Sequence, residues 1–140
     1  MSDMSSQQRP LPIPTHISEP HWKGADDGQL LVQRCESCSG YTFPPRPVCT
    51  HCFSTALKWT RSSGRGTIYS YTIAHRPPYP AFKPPYVVAI VELEEGWHML
   101  TNLAESDLQT VRVNAPVEVF FESFGEITLP MFRLTGANPA

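Results

Sequence analysis

The chain has no long apolar run. Its longest strictly apolar stretch, Tyr86 to Val91, has six residues, against the ~20 that a membrane-spanning helix needs. It has no excess of charge either. Eleven basic and thirteen acidic residues leave a net charge of −2 over 140 residues, which argues against a partner held by phosphate neutralisation alone. Gly-x-Ser-x-Gly, a Gly-rich phosphate loop and His-Glu-x-x-His are all missing, and with them the usual signatures of serine hydrolases, nucleotide binders and zinc peptidases. His75, His98, Asp107 and the glutamates can titrate, but no spacing pairs them for acid–base work, so no catalytic residue is assigned. The N-terminus is polar and proline-broken, without the charged-then-apolar pattern of a secretion signal. A cytoplasmic chain with reduced thiols is therefore expected.

Proline-free stretches are scarce. Of the fifteen prolines, seven lie between Pro10 and Pro47 and five between Pro77 and Pro85. Proline fixes φ and donates no backbone hydrogen bond, so long helices are excluded from the first 85 residues. Tyr86 to Ala115 contains none, and there a continuous hydrogen-bonded ladder can form.

Cysteine occurs in one cluster only: Cys35, Cys38, Cys49 and Cys52. Two residues between thiolates let one tight turn aim both sulfurs at a single point. Two such knuckles complete the closed tetrahedron that Zn²⁺ prefers, so one structural zinc is expected, with no position open for substrate. The same spacing also permits a rubredoxin-like iron site or a redox dithiol. His51 lies inside the second knuckle and reads as a surface residue of the turn, because four cysteines already fill the coordination sphere.

Around the knuckles, Leu30 to Arg34, Tyr41 to Phe43 and Leu57 to Trp59 read as short strands, with Gly40 as the permissive turn residue. Pro44-Pro45-Arg46-Pro47 must be extended. Upstream, Ser18 suits an N-cap before a short helix that carries Trp22 as its packing residue and stops near Gly28. Downstream, Thr67 to Ile73 alternates, Tyr86 to Leu93 suits a strand buried on both faces, and Glu94-Glu95-Gly96 suits a hairpin turn into Trp97 to Leu103. A short helix or turn follows at Ala104 to Leu108, then alternation at Val111 to Val113. Strands are expected at Val117 to Glu122 and Ile127 to Leu134, the last placed at an edge by Pro130. The expected class is mainly β: a short N-terminal helix, a zinc ribbon, then a five-stranded OB-fold barrel. The expected divisions are a flexible tail over 1–15, the helix and ribbon over 16–60, and the OB-fold domain over 61–140.

His21-Trp22, Gly28-x-Leu30, the cysteine quartet, Phe43-Pro44-Pro45-Arg46, Gly64-Arg65-Gly66-Thr67 and the apolar strand Tyr86 to Leu93 together resemble the DUF35 family over roughly Ile17 to Leu134. The chain departs from that pattern at His21, where the family often has Phe, and at Ser39, where it often has Gly directly after the second cysteine. Neither position is a metal ligand. The resemblance implies a rubredoxin-like zinc ribbon plus OB-fold that serves as a non-catalytic partner of a thiolase-superfamily enzyme. That enzyme would be a thiolase, a hydroxymethylglutaryl-CoA synthase or a lipid-transfer-protein-like aldolase. It further implies an acyl-CoA substrate from steroid side chains, aromatic or fatty acids, and a hetero-oligomer with the thiolase-like or aldolase-like protein.

The proline-laden loop from His75 to Tyr86 supplies the remaining candidates. Tyr79 and Phe82 offer rigid aromatic anchors for a partner. Arg46, Arg65, Arg76 and Lys83 are the charges suited to CoA phosphates, since cationic side chains pair with phosphate oxygens. Two other readings stand beside this one. A purely structural zinc scaffold would show no acyl-CoA dependence. A single-strand nucleic-acid binder would stack bases on Tyr69, Tyr71 and Phe120, but the basic residues are spread thinly, with no cluster beyond Arg61 and Arg65. A fluorescence titration with a mixed oligonucleotide at near-physiological salt should accordingly show no saturable binding below the micromolar range; submicromolar, steeply salt-dependent binding would reverse that ranking.

Overall fold

A computed structural model describes residues 11–75, 85–104 and 108–135. The single helix among them, α1 (Glu19–Asp26), has Pro20 in its first turn, where a missing N–H costs nothing, with Glu19 at its start and Lys23 at its end. Ser18 stands at the N-cap position but makes no capping bond. Its hydroxyl oxygen instead accepts from Trp22 Nε1 at 3.1 Å and from the Thr15 backbone N–H at 2.9 Å. Eight residues cannot hold a helix by propensity, so packing holds it. The packing residue is His21 rather than Trp22: His21 is buried with Gly24 and Ala25, while Trp22 remains half-buried. The smaller ring points inward and meets Phe43 at 5.5 Å, and the indole lies edge-on to it at 4.7 Å.

Strands β1 (Leu31–Cys35), β2 (Tyr41–Thr42) and β3 (Leu57–Arg61) form an antiparallel sheet in the order β2-β1-β3. A second sheet of five strands follows: β4 (Arg65–Ala74), β5 (Tyr86–Leu93), β6 (His98–Asn102), β7 (Pro116–Phe124) and β8 (Ile127–Leu134), ordered β6-β5-β4-β7-β8. A parallel bridge from Leu103 to Phe132, with the Ala104 N–H donating to the Phe132 carbonyl at 2.9 Å, brings the two outer strands together and nearly closes a barrel. This is the mainly β, ribbon-plus-OB architecture expected above.

β4 makes closure possible. Its first residues pair with both β7 and β5, then an irregularity at Tyr69 shifts the register and bends the strand. Gly66 permits the crowded crossing, since a Cβ there would collide with the Glu92 carbonyl. β5 buries only one face, through Val87, Ala89, Val91 and Leu93, while Tyr86, Val88 and Ile90 stay half-buried. The expected double burial fails because, among the described residues, no layer of helices covers the outside of this sheet. Val111 to Val113 form no strand either. Asn114 is left-handed (φ 70), and the Asn114–Ala115 turn brackets Ile68 through two backbone hydrogen bonds of 2.8 and 2.9 Å. β8 is an edge strand, as Pro130 requires. Phe132 faces inward and is fully buried. The short helix expected at Ala104 to Leu108 and the loop candidates Arg76, Tyr79, Phe82 and Lys83 fall wholly or partly on residues outside the described set.

The core is continuous from ribbon to barrel: Leu30 and Val32 join Ile68, Val91, Leu93, Trp97, Val117 and Phe132 in one buried cluster, and the Phe43 and Trp97 rings meet at 5.2 Å. A polar latch reinforces the join. Glu95, in the β5–β6 turn, accepts 2.7 Å hydrogen bonds from the Ser62 hydroxyl and the Ser63 backbone N–H, in the segment that links β3 to β4. The Ser62 N–H in turn donates to the Leu30 carbonyl at 2.8 Å.

Partial burial disfavours the Glu95 carboxylate, but the Ser63 N–H and Ser62 hydroxyl outweigh that and lower its pKa below 4.5. A lowered folded-state value means that the stabilisation is present above the unfolded pKa and is lost as pH falls through the folded one. Glu95→Ala should therefore cost about 2 kcal/mol at pH 7 in urea unfolding, with the gap to wild type closing below about pH 4. Acid weakens thiolate–metal bonding in both proteins alike, so their difference isolates Glu95. A gap independent of pH would show that the carboxylate charge plays no part.

Candidate metal centre and adjoining groove

Each C-x2-C turn closes on itself. The Ser39 N–H donates to the Cys35 carbonyl and the Phe53 N–H to the Cys49 carbonyl, at 2.8 and 2.9 Å, while the Cys35 N–H reaches the Gly40 carbonyl and the Cys49 N–H the Ser54 carbonyl, both at 2.8 Å. The left-handed residues are Ser39 (φ 67) and Phe53 (φ 65), each directly after a knuckle's second cysteine. Gly40, expected to supply that conformation, is needed for space: a Cβ there would lie 2.7 Å from the His51 ring. His51 is exposed and donates from Nε2 to the Tyr41 carbonyl at 2.9 Å. It braces the turn from outside, as the expectation of a surface residue requires.

The four Sγ atoms all lie within 4.8 Å of one another, with Cys35 to Cys52 and Cys38 to Cys49 each at 3.6 Å. A tetrahedron of 2.3 Å Zn–S bonds has sulfur–sulfur edges of about 3.8 Å. The backbone N–H groups of Ser37, Gly40 and His51 point at the sulfurs of Cys35, Cys38 and Cys49 at 3.3 to 3.4 Å, a donor set suited to thiolates. Cys35 and Cys49 are buried, Cys38 and Cys52 exposed.

Among themselves the sulfurs cannot all ionise. Two like charges 3.6 Å apart repel strongly. Desolvation opposes ionisation of Cys49, yet the N–H groups of Cys52 and His51 and the neighbouring thiols bring it down to about 6. Cys52, despite the Ser54 N–H, is pushed up to about 12 by local desolvation and by the other three sulfurs. A divalent cation at the centre removes that conflict. The residues fit one structural zinc, held by Cys35, Cys38, Cys49 and Cys52, with every coordination position taken by protein.

The other candidates are scattered. Arg46 is exposed in the ribbon, its backbone clamped by the buried Gln33 side chain through bonds of 2.8 and 3.0 Å. Arg65 opens β4 and pairs with Glu94 at 3.2 Å. Tyr69 and Tyr71 are exposed, with His98 edge-on against Tyr69, and the Arg133 guanidinium lies 5.4 Å from the Phe120 ring centre.

The structure adds a feature absent from the sequence reading. An apolar groove of about 490 Å³ runs between α1, the ribbon turn Phe43–Pro45, and strands β6 and β8, with His21, Trp22, Leu100 and Met131 on its walls. Its residues come from four distant segments, so no local spacing signals it. The nearest hint was His21 itself, the departure from the family pattern.

A closed four-sulfur zinc ribbon continuous with an OB barrel defines the class of protein. A family model described as the ChsH2 rubredoxin-like zinc ribbon domain matches residues 22–58, and one described as the ChsH2 C-terminal OB-fold domain matches residues 59–122. The solved structure of an Ltp2-ChsH2(DUF35) aldolase superposes with a TM-score of 0.79 and 38% identity, covering 89% of this chain and 98% of the matched one. A DUF35 domain-containing scaffold protein of Methanocaldococcus jannaschii is 33% identical over 99 residues, 69% of this chain and 70% of the relative. A probable enoyl-CoA hydratase alpha subunit of Thermomonospora curvata is 40% identical over 126 residues, 89% of this chain but 40% of that longer protein. The chain belongs to the DUF35 family. No helix among the described residues is long and apolar enough to cross a membrane.

For a ribbon this small, metal-binding energy is folding energy. Cys35→Ser or Cys49→Ser should abolish stoichiometric zinc and melt the ribbon, read as lost metal by elemental analysis and lost amide dispersion over 30–61. His51→Ala should retain full zinc. Zinc retained by both serine variants would refute the four-sulfur assignment.

Proposed function

We propose that this chain is the zinc-bearing accessory subunit of a thiolase-superfamily enzyme, a thiolase or lipid-transfer-protein-like aldolase, that acts on acyl-CoA thioesters in the degradation of steroid side chains, aromatic or fatty acids. The observation that carries the proposal is the 38% identity extending over 98% of the matched chain in the Ltp2-ChsH2(DUF35) aldolase. The surface supports it. Leu11, Ile13, Phe53, Tyr69, Leu100 and Val113 are exposed and offer apolar surface that a partner could cover. The metal is saturated by thiolates, so the chain's contribution is surface and charge rather than a site for the thioester oxygen.

In this reading the complex works in the cytoplasm. Arg46, Arg65, Arg76 and Lys83 contact the CoA phosphates, and Tyr79 and Phe82 anchor the enzyme partner. Arg65 can exchange Glu94 for a phosphate at little cost, because both members of that pair are more than half exposed and exposed pairs contribute little.

The test is co-expression with a thiolase-fold aldolase, followed by gel filtration and an acyl-CoA carbon–carbon cleavage assay. Joint elution and activity that depends on this chain are expected. Arg46→Ala combined with Arg65→Ala should raise KM for the acyl-CoA several-fold while the complex persists. Separate elution beside a fully active lone enzyme would end the proposal.

A further inference from the structure

The groove beside α1 has two properties that together select a ligand. First, none of its lining residues is charged, so nothing there offsets the cost of desolvating an ion. Second, its polar groups are satisfied internally with one exception. Ser18 Oγ accepts from Trp22 Nε1, Asn102 Nδ2 donates to the Val87 carbonyl, and Thr101 Oγ1 donates to the Asn102 carbonyl.

The exception is His21, which is 4% exposed. Its Nδ1 lies 3.4 Å from the Leu31 carbonyl, and because a carbonyl only accepts, Nδ1 carries the proton. Nε2 is then a bare lone pair, with no partner among the described residues. Nor is it sealed in the core: among the described residues only Trp97 Nε1 is both buried and unpartnered. Nε2 therefore reaches the surface, and His21 is one of the residues that line the groove. Burial lowers the pKa of His21, outweighing the Leu31 contact, so the ring is a neutral acceptor at pH 7.

We propose that this groove binds an uncharged, apolar small molecule bearing one hydroxyl, whose O–H donates to His21 Nε2 while its body packs on Trp22, Phe43, Leu100 and Met131. A ketone or ether offers no donor and leaves Nε2 unpaired; an anion is excluded by the uncharged walls. The volume of about 490 Å³ falls within the range of sites for ring-sized ligands. The site does not rest on the enzyme partnership above. It belongs to this chain alone and can be measured without a partner.

The test uses the zinc-loaded full chain with two probes that differ only in the donor, 2-naphthol and 2-methoxynaphthalene, titrated calorimetrically near pH 7.5. The naphthol should bind about fivefold more tightly, one net hydrogen bond. His21→Phe keeps an aromatic ring against Trp22 and Phe43, and should bring the naphthol's affinity down to that of the ether with zinc content unchanged. Met131→Glu should eliminate both. Independently of any variant, the His21 Nε2 ¹⁵N resonance should shift with the naphthol and not with the ether. No saturable binding of either probe, or a preference that survives His21→Phe, would overturn the proposal. So would binding that appears only after residues 1–10 are deleted, which would make that segment the occupant.

Discussion

Four sulfurs within 4.8 Å of one another are the constraint on which the first half of this protein depends. Thiolates at that spacing repel too strongly to ionise together, and a divalent cation converts the repulsion into a clamp on two turns eleven or more residues apart in sequence. What the clamp tethers is small. β2 has two residues and β1 and β3 have five each, too little sheet for independent stability. The metal substitutes for the hydrophobic core that so short a segment cannot build.

The clamp alone would leave the ribbon swinging on the barrel. Two further layers fix it. Leu30 and Val32 extend the barrel's core into the ribbon, and Phe43 packs on Trp97. Beside them the Glu95 carboxylate holds the linking segment at Ser62 and Ser63. Apolar continuity supplies most of the attraction but no direction; the carboxylate and its two donors supply direction. α1 then has a rigid corner to dock against, and the position of His21 follows from that corner rather than from the helix.

How much of this could be read from sequence depended on whether the determining contact was local. The cysteine spacing states the metal geometry outright, and Pro130 announces an edge strand because a proline cannot feed a ladder. The resemblance carried by the quartet and Gly64-Arg65-Gly66-Thr67 added the OB-fold. Failures came where a distant neighbour decides. The apolar run at Tyr86 to Leu93 marks a strand, yet which faces are covered depends on layers the run does not encode. Trp22 looks like the buried residue by size, but the direction of α1 against Phe43 turns His21 inward. Val111 to Val113 alternate like a strand, and the turn at Asn114 takes the backbone to Ile68 instead. Arg46 and Arg65 stood out by charge, whereas the groove, assembled from residues 15–22, 43–45, 99–102 and 129–131, has no signature along the chain.

The groove is a consequence of how the barrel closes. A five-stranded sheet whose outer strands meet at one bridge, Leu103 to Phe132, must splay where they do not meet, between His98–Asn102 and the start of β8. Here α1 and the Phe43–Pro45 turn are laid across it, and a helix and a proline turn cannot interdigitate with a pleated edge at core density. The residual space is therefore built in by the joining of ribbon to barrel. A phenylalanine at position 21 would leave this space with only polar side chains that already hydrogen-bond within the protein. The histidine adds an imidazole nitrogen to it, turning a packing defect into a place that distinguishes a molecule with a donor from one without.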